Sequence, residues 1–150
     1  VGQGRVLVTP LHMAMIAGAI GNDGLMMKPT LIAQVSGSSG ISRLRTAGGT
    51  YKRAVSQNTA DVIADYMYAA VESGTGTRAQ VSGHKICGKT GSAETSDDKT
   101  VPTNAWFVGF VDEPEHPYAV AVVVEEGGSG GDRAARLGGK ALARAIELLG

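Results

Sequence analysis

The sequence predicts an α+β fold: an antiparallel sheet with strands near residues 84–92, 103–111 and 118–125, flanked by helices near 10–21, 57–72 and 132–149. Two observations carry that reading. Residues 104–111 and 118–125 are β-forming runs separated by a short loop holding Pro114 and Pro117, and strands joined so closely pair antiparallel. Segments of helical apolar spacing flank the strands at both ends of the chain rather than alternating with them, which argues against a βαβ series. The 150 residues are the size of one domain with its own core.

Each element follows from local chemistry. Thr9-Pro10 reads as an N-cap followed by proline at the first helical position, where its missing N–H costs nothing. Leu11, Met15, Ile16 and Ala19 recur at helical spacing until the stop at Gly21-Asn22-Asp23-Gly24. Ala14, Ala17, Gly18 and Ala19 are small enough for close packing. Met13, Met15, Met26 and Met27 read as core filler rather than a soft-metal box. Residues 29–35 and 51–55 read as extended pieces, with a Ser/Gly loop over 36–40. Ser56 caps a helix running to Glu72, whose apolar side holds Val62, Ile63, Tyr66, Met67, Ala70 and Val71. A glycine-rich loop, 73–77, ends it. Residues 95–102 form a polar loop. Residues 104–111 place Trp106, Val108 and Phe110 on one face and Phe107 and Val111 on the other, as a strand covered on both sides requires. After a second glycine loop, 127–131, Asp132 is the expected cap of a last helix with Leu137, Ala141, Leu142, Ala145, Ile146 and Leu149 on its stripe.

Fourteen basic residues balance fourteen acidic ones, so nothing suggests a nucleic-acid or anionic-membrane surface, both of which need a basic excess. Cys87 is the only cysteine, which excludes an intramolecular disulfide and a cysteine-based zinc site. The apolar run 118–124 is far too short to cross a bilayer. Val1-Gly2-Gln3-Gly4 has neither an initiator methionine nor a signal-peptide pattern, and the chain reads as a piece of something longer.

The densest chemistry lies in Ile86-Cys87-Gly88-Lys89-Thr90-Gly91-Ser92-Ala93-Glu94. Residues 83–90 fit the G-x-x-x-x-G-K-[ST] pattern of a phosphate-cradling P-loop, which would make the chain an NTPase. A P-loop leaves a buried strand and opens a helix. Here residues 75–83 are glycine-rich and polar, and residues 91–102 hold only Ala93 and Val101 as apolar residues. Val120 to Val124 followed by Glu125-Glu126 imitates a magnesium-binding strand end, yet two broken flanks outweigh that match.

Lys89-Thr90-Gly91 is also the Lys-Thr-Gly element of penicillin-binding proteins and serine β-lactamases, and its neighbours agree. Gly2-Gln3-Gly4, Val8-Thr9-Pro10-Leu11 with Met13-Ala14, Asn22-Asp23-Gly24, Lys28-Pro29-Thr30-Leu31, Gly74-Thr75-Gly76-Thr77, Gly88 to Glu94, and Ala105-Trp106-Phe107-Val108-Gly109-Phe110 fall in one order along the chain. In this ordered set the chain resembles the C-terminal part of the transpeptidase domain of division-class (class B) penicillin-binding proteins, nearly end to end. The resemblance implies a partial β-lactamase/transpeptidase-like fold. It implies an activity in which a serine attacks the D-Ala-D-Ala end of a peptidoglycan stem peptide, forming an acyl-enzyme that an amine resolves and that β-lactams trap. It implies no cofactor and a parent on the extracytoplasmic face of a bacterial membrane.

The resemblance assigns Lys89 the electrostatic attraction of the substrate carboxylate, and Thr90 and Ser92 hydroxyls to bind it. Gly91 leaves room for the substrate backbone, and the backbone N–H of Ser92 is one oxyanion-hole donor. Serine at 92, where the family more often has threonine, keeps the hydroxyl. The family's nucleophile sits in a Ser-x-x-Lys motif at a helix start, opposite a Ser-x-Asn motif. Ser82 to Lys85 and Ser96 to Lys99 match the first only formally, in glycine-rich or acidic loops without an apolar helix. Ser56-Gln57-Asn58 matches the second, but Ser56 is better explained as a cap. The true nucleophile is therefore expected before Val1, the chain alone inactive, and residues 118–125 an open edge able to pair with a second copy. A non-catalytic scaffold of the same fold is the alternative. His12, His84 and His116 are scattered without metal-ligand spacing, Glu125 and Glu126 read as a solvated strand end, and Cys87 as a small buried strand residue.

Overall fold

The computed structural model describes residues 6–32, 34–36, 42–45, 48–98 and 100–150. The element order is α1 (Pro10–Ile20), β1 (Leu25–Met27), β2 (Gln34–Ser36), β3 (Ser42–Arg45), β4 (Thr50–Arg53), α2 (Gln57–Glu72), a 3-10 turn (Thr77–Ala79), β5 (Ile86–Ala93), β6 (Asn104–Val111), β7 (Ala119–Val124) and α3 (Ala134–Leu149). The sheet β5-β6-β7 is antiparallel throughout, with β6 in the centre, which is the predicted α+β arrangement. Two further antiparallel ribbons pair β1 with β4 and β2 with β3.

The sheet is the middle of three layers. On one face Ile86, Ala105, Phe107 and Val111 pack with Ala134, Ala135 and Leu142 of α3. On the other, Cys87 and Phe110 pack with Ala17 of α1 and with Ala64 and Met67 of α2. Register accounts for this division, because Ile86 pairs with Val111 and Cys87 with Phe110, and successive strand residues face opposite sides. The buried Phe107 ring fills a socket lined by three glycines. A Cβ at Gly88 would lie 2.6 Å from its Cε2 and one at Gly109 2.9 Å from its Cζ, while one at Gly138 of α3 would also collide with the ring. Any side chain at these positions would push strand or helix away from the ring.

Both predicted helix starts are present: Thr9 accepts from the His12 N–H at 3.2 Å and Ser56 from the Thr59 N–H at 3.2 Å. The third cap differs. α3 is preceded by Arg133 with no side-chain cap, and the Asp132 carboxylate pairs with Arg78 at 3.0 Å instead. The predicted apolar stripes hold at Ala19, Met67, Val71 and Leu142, which are buried, and shift elsewhere. α1 buries Ala17 and Ala19 while Leu11 is 59% exposed, α2 buries Ala60, Ala64, Met67 and Val71 while Tyr66 is 72% exposed, and α3 buries Ala134, Ala135, Gly138, Gly139 and Leu142 while Leu149 is 70% exposed. Close approach accounts for the small residues: a Cβ at Gly21, where α1 ends, would lie 2.6 Å from Cδ2 of Phe110, and one at Gly138 would collide with the Phe107 ring. Of the four methionines read as filler, Met26 is buried and Met27 exposed.

The extended piece predicted over 29–35 is split. Strand occupies Leu25–Met27 and Gln34–Ser36, while Pro29, which has no N–H to donate, lies in the irregular stretch between. The predicted loop over 36–40 begins in β2 at Ser36, and residues 37–40 lie outside the described residues, as do Gly2-Gln3-Gly4 and Lys99.

Candidate active site

Lys89, Thr90, Gly91 and Ser92 all lie on β5, whose only strand neighbour among the described residues is β6. The Lys85 carbonyl accepts from the Asp112 N–H at 2.8 Å, so the odd-numbered residues here turn their backbone groups towards β6. Alternation then turns the N–H and C=O of Thr90 and Ser92 to the free edge. In agreement, the Lys89 ammonium donates to the Thr90 carbonyl at 2.7 Å from outside the sheet. The side chains divide by the same rule. Lys89 and Gly91 share the α1/α2 face with half-buried Trp106, which pairs with Gly91. Thr90 and Ser92 turn to the α3 face.

Two glycine loops back the hydroxyls on that face. The Thr90 and Thr75 hydroxyls share a hydrogen bond of 2.6 Å. Since one proton lies between them, the pair retains a second to donate outward. The Ser92 hydroxyl accepts from the Gly130 N–H at 3.2 Å, which likewise leaves its own proton for a further acceptor. Gly130 crosses β5 and β6 so closely that a Cβ would lie 2.7 Å from the Trp106 carbonyl oxygen, and one at Gly131 would lie 2.6 Å from that of Thr75. Thr75 and Gly130 are thus part of the arrangement. The sequence marked both loops as glycine-rich turns, but only folding shows which of their atoms meet Thr90 and Ser92. Gly91 differs from the packing glycines, because a Cβ there would make only an ordinary contact of 3.5 Å with Trp106. Internal packing does not demand glycine at 91.

The competing motifs do not assemble. Residues 83–90 pass from a turn into a strand, so there is no helix N-terminus to face a phosphate. Glu126 lies in a turn with φ of 50°, its N–H donating to Asn104 Oδ1 at 3.0 Å. Ser82 is exposed in a turn, and the Lys85 ammonium is held by Asp112 at 2.7 Å. That hydrogen bond raises the pKa of Lys85 above its ordinary 10.5, the opposite of what an activating base needs. Ser96 is exposed in a bend. Cys87 is fully buried, and burial pushes its thiol up to about 12, with Asp112 adding to the rise and Lys85 opposing it. It is an inert packing residue. His12 is exposed, whereas His84 and His116, scattered in sequence, come together with Glu113 at the far end of the sheet.

No helix among the described residues is long and apolar enough to cross a membrane. The family model described as "Penicillin binding protein transpeptidase domain" matches residues 1–145. The chain is 36% identical, over 98% of its length, to the peptidoglycan D,D-transpeptidase PbpA of Mycolicibacterium smegmatis, and 33% identical to that of Mycobacterium tuberculosis. It spans 31% of the length of each of these relatives. Among solved structures, a ceftriaxone acyl-enzyme complex of penicillin-binding protein A from M. tuberculosis matches 96% of the chain and 33% of its own, with a TM-score of 0.88 and 34% identity. The D,D-transpeptidase domain of a peptidoglycan glycosyltransferase from Eggerthella lenta matches 95% of the chain and 33% of its own, with a TM-score of 0.81 and 33% identity. Motif order, sheet topology and these likenesses agree: the chain belongs to the penicillin-binding protein transpeptidase domain family.

Proposed function

We propose that this chain forms the Lys-Thr-Gly wall of the active site of a D,D-transpeptidase that cross-links peptidoglycan stem peptides through an acyl-serine intermediate. The observation that carries the reading is the free edge of β5, where a lysine, two hydroxyls with protons to donate and an outward backbone N–H occupy four consecutive residues. Lys89 draws in the carboxylate of a D-Ala-D-Ala terminus, and Thr90 and Ser92 donate to it. Gly91, with no packing reason to be glycine, leaves the peptide room to lie along the strand. The Ser92 N–H faces the edge and serves as one oxyanion-hole donor, stabilising the charge that develops as the acyl bond forms. β-Lactams occupy the same wall.

The nucleophile and its lysine belong to the intact protein outside these 150 residues, in an extracytoplasmic domain of which this chain is the C-terminal portion. Labelling with a fluorescent penicillin tests the reading. The intact protein is expected to acylate, Lys89→Ala to slow acylation by a factor on the order of 100 or more, and the 150-residue chain alone to remain unlabelled. Acylation of the intact protein at an unchanged rate in Lys89→Ala would remove Lys89 from the site. An intact protein that never acylates would favour a non-catalytic scaffold.

A further inference from the structure

We propose that His84, Glu113 and His116 form a binding site for a first-row divalent metal ion, Zn2+ foremost, at the end of the sheet opposite Lys89 to Ser92. The three residues come from two loops. His84 lies in the turn before β5, while Glu113 and His116 lie in the loop between β6 and β7. Each offers one ligand atom, and all three atoms lie within 4.8 Å of one another. Tetrahedral zinc with bonds of 2.0–2.1 Å holds its ligand atoms about 3.4 Å apart, so a small side-chain adjustment closes the set. His84 Nδ1 and Glu113 Oε2 are already 2.9 Å apart.

The donors are partly pre-arranged. Glu113 Oε1 accepts from the Lys85 N–H at 2.7 Å, which fixes the carboxylate while Oε2 addresses His84. Such an outer hydrogen bond is what orients a ligating carboxylate. The backbone holds His116 by its N–H on the Glu113 carbonyl at 3.1 Å and its carbonyl accepting from Tyr118 at 2.7 Å. Its ring stands edge-on to that of His84 at 5.3 Å and stacks on Tyr118.

An independent observation points to a ligand. His116 Nδ1 is buried and has no hydrogen-bond partner, a state that costs free energy and that native interiors rarely keep. A metal bonded to this nitrogen would satisfy it. Two imidazoles and one carboxylate suit zinc and its first-row neighbours, whereas magnesium and calcium prefer oxygen sets. Three protein ligands leave a fourth position for water. Because the site clasps the turn leading into β5 to the β6–β7 loop, the ion would act as a staple rather than in acyl transfer.

The experiment is a titration of the untagged, chelator-stripped intact protein with ZnCl2, followed by calorimetry. His116→Gln is compared with the parent, since among the described residues His116 Nδ1 has no hydrogen bond whose loss would unfold the protein. The expected result is one more equivalent of Zn2+ in the parent than in His116→Gln, or an affinity at least tenfold higher, with MgCl2 giving no heat. His84→Gln should reproduce the loss. Cobalt(II) gives a readout without any substitution, namely the intense visible absorption of a four-coordinate ion. Equal zinc uptake in parent and variants overturns the proposal, as does only the weak absorption of six-coordinate cobalt in the parent.

Discussion

Phe107 shows how much of this molecule depends on residues without side chains. Its ring occupies the space that Gly88, Gly109 and Gly138 leave vacant, so strand and helix meet across it at a distance no other residue would allow. Phe107→Ala is expected to cost about 3–5 kcal/mol through the cavity it opens. Gly138→Ala should also destabilise, and adding Phe107→Leu should recover part of that loss because the smaller side chain makes room. Urea denaturation of the parent, Gly138→Ala, Phe107→Leu and the double variant checks this, and strictly additive effects would count against the socket. Cys87 gives a pH signature. Its folded-state pKa of about 12 lies above its ordinary 9.0, so the folded protein keeps a proton that the unfolded chain releases. That contribution is complete below pH 9 and is lost as pH rises towards 12, at up to about 1.4 kcal/mol per pH unit. The stability difference between the parent and Cys87→Ala is therefore expected to shrink between pH 9 and 11, as measured by denaturant titration.

At the scale of elements, the two caps that can be compared differ in kind. Ser56 binds the Thr59 N–H of α2, and Ser56→Ala should cost about 1 kcal/mol. Asp132 makes only an exposed ion pair with Arg78, so Asp132→Ala should fall within about 0.5 kcal/mol of the parent. Thermal unfolding separates the two, and a larger loss for Asp132→Ala would restore it as a cap. Cap signals such as Thr9-Pro10 and Ser56 were legible in the sequence because the interaction spans three residues. The buried helix faces were legible in part: Ala17, Ala19, Met67, Val71 and Leu142 are buried as the sequence predicts, whereas Ala60, Ala64, Ala134, Ala135, Gly138 and Gly139 are buried for reasons of distance, which no hydrophobic count registers. Lys89 to Ser92 could be read as a motif, but their backing by Thr75 and Gly130 could not, since those contacts span 15 and 38 residues. The meeting of His84 with Glu113, 29 residues apart, was hidden for the same reason.

For the whole molecule, the sheet leaves two flanks. The edge of β5 carries the proposed site, and β7 has one strand neighbour among the described residues. The Val111 N–H donates to the Tyr118 carbonyl at 2.9 Å. With Val122 opposite Phe107 and Val120 opposite Gly109, this places the Ala121 N–H on the outer side of β7. We expect that edge to pair with preceding strands of the same domain in the intact protein, and with a second copy when the 150-residue chain is isolated. Ala121→Pro removes an outward donor without breaking a bond to β6, so it should shift the isolated chain from dimer to monomer in sedimentation. A dimer that survives the substitution would place the contact elsewhere.

The alternation along β5 has a consequence for how this family can vary. Thr90 and Ser92 face one layer and Lys89 and Gly91 the other, so chain length between Cys87 and Ser92 is constrained in addition to the identities of Gly88 and Lys89. A substitution here acts at its own position. A single inserted or deleted residue turns every following side chain to the opposite layer and moves the backbone donors from the free edge into the sheet. Insertions in this stretch are therefore expected to survive only in pairs, which keep the side chains on their own layers.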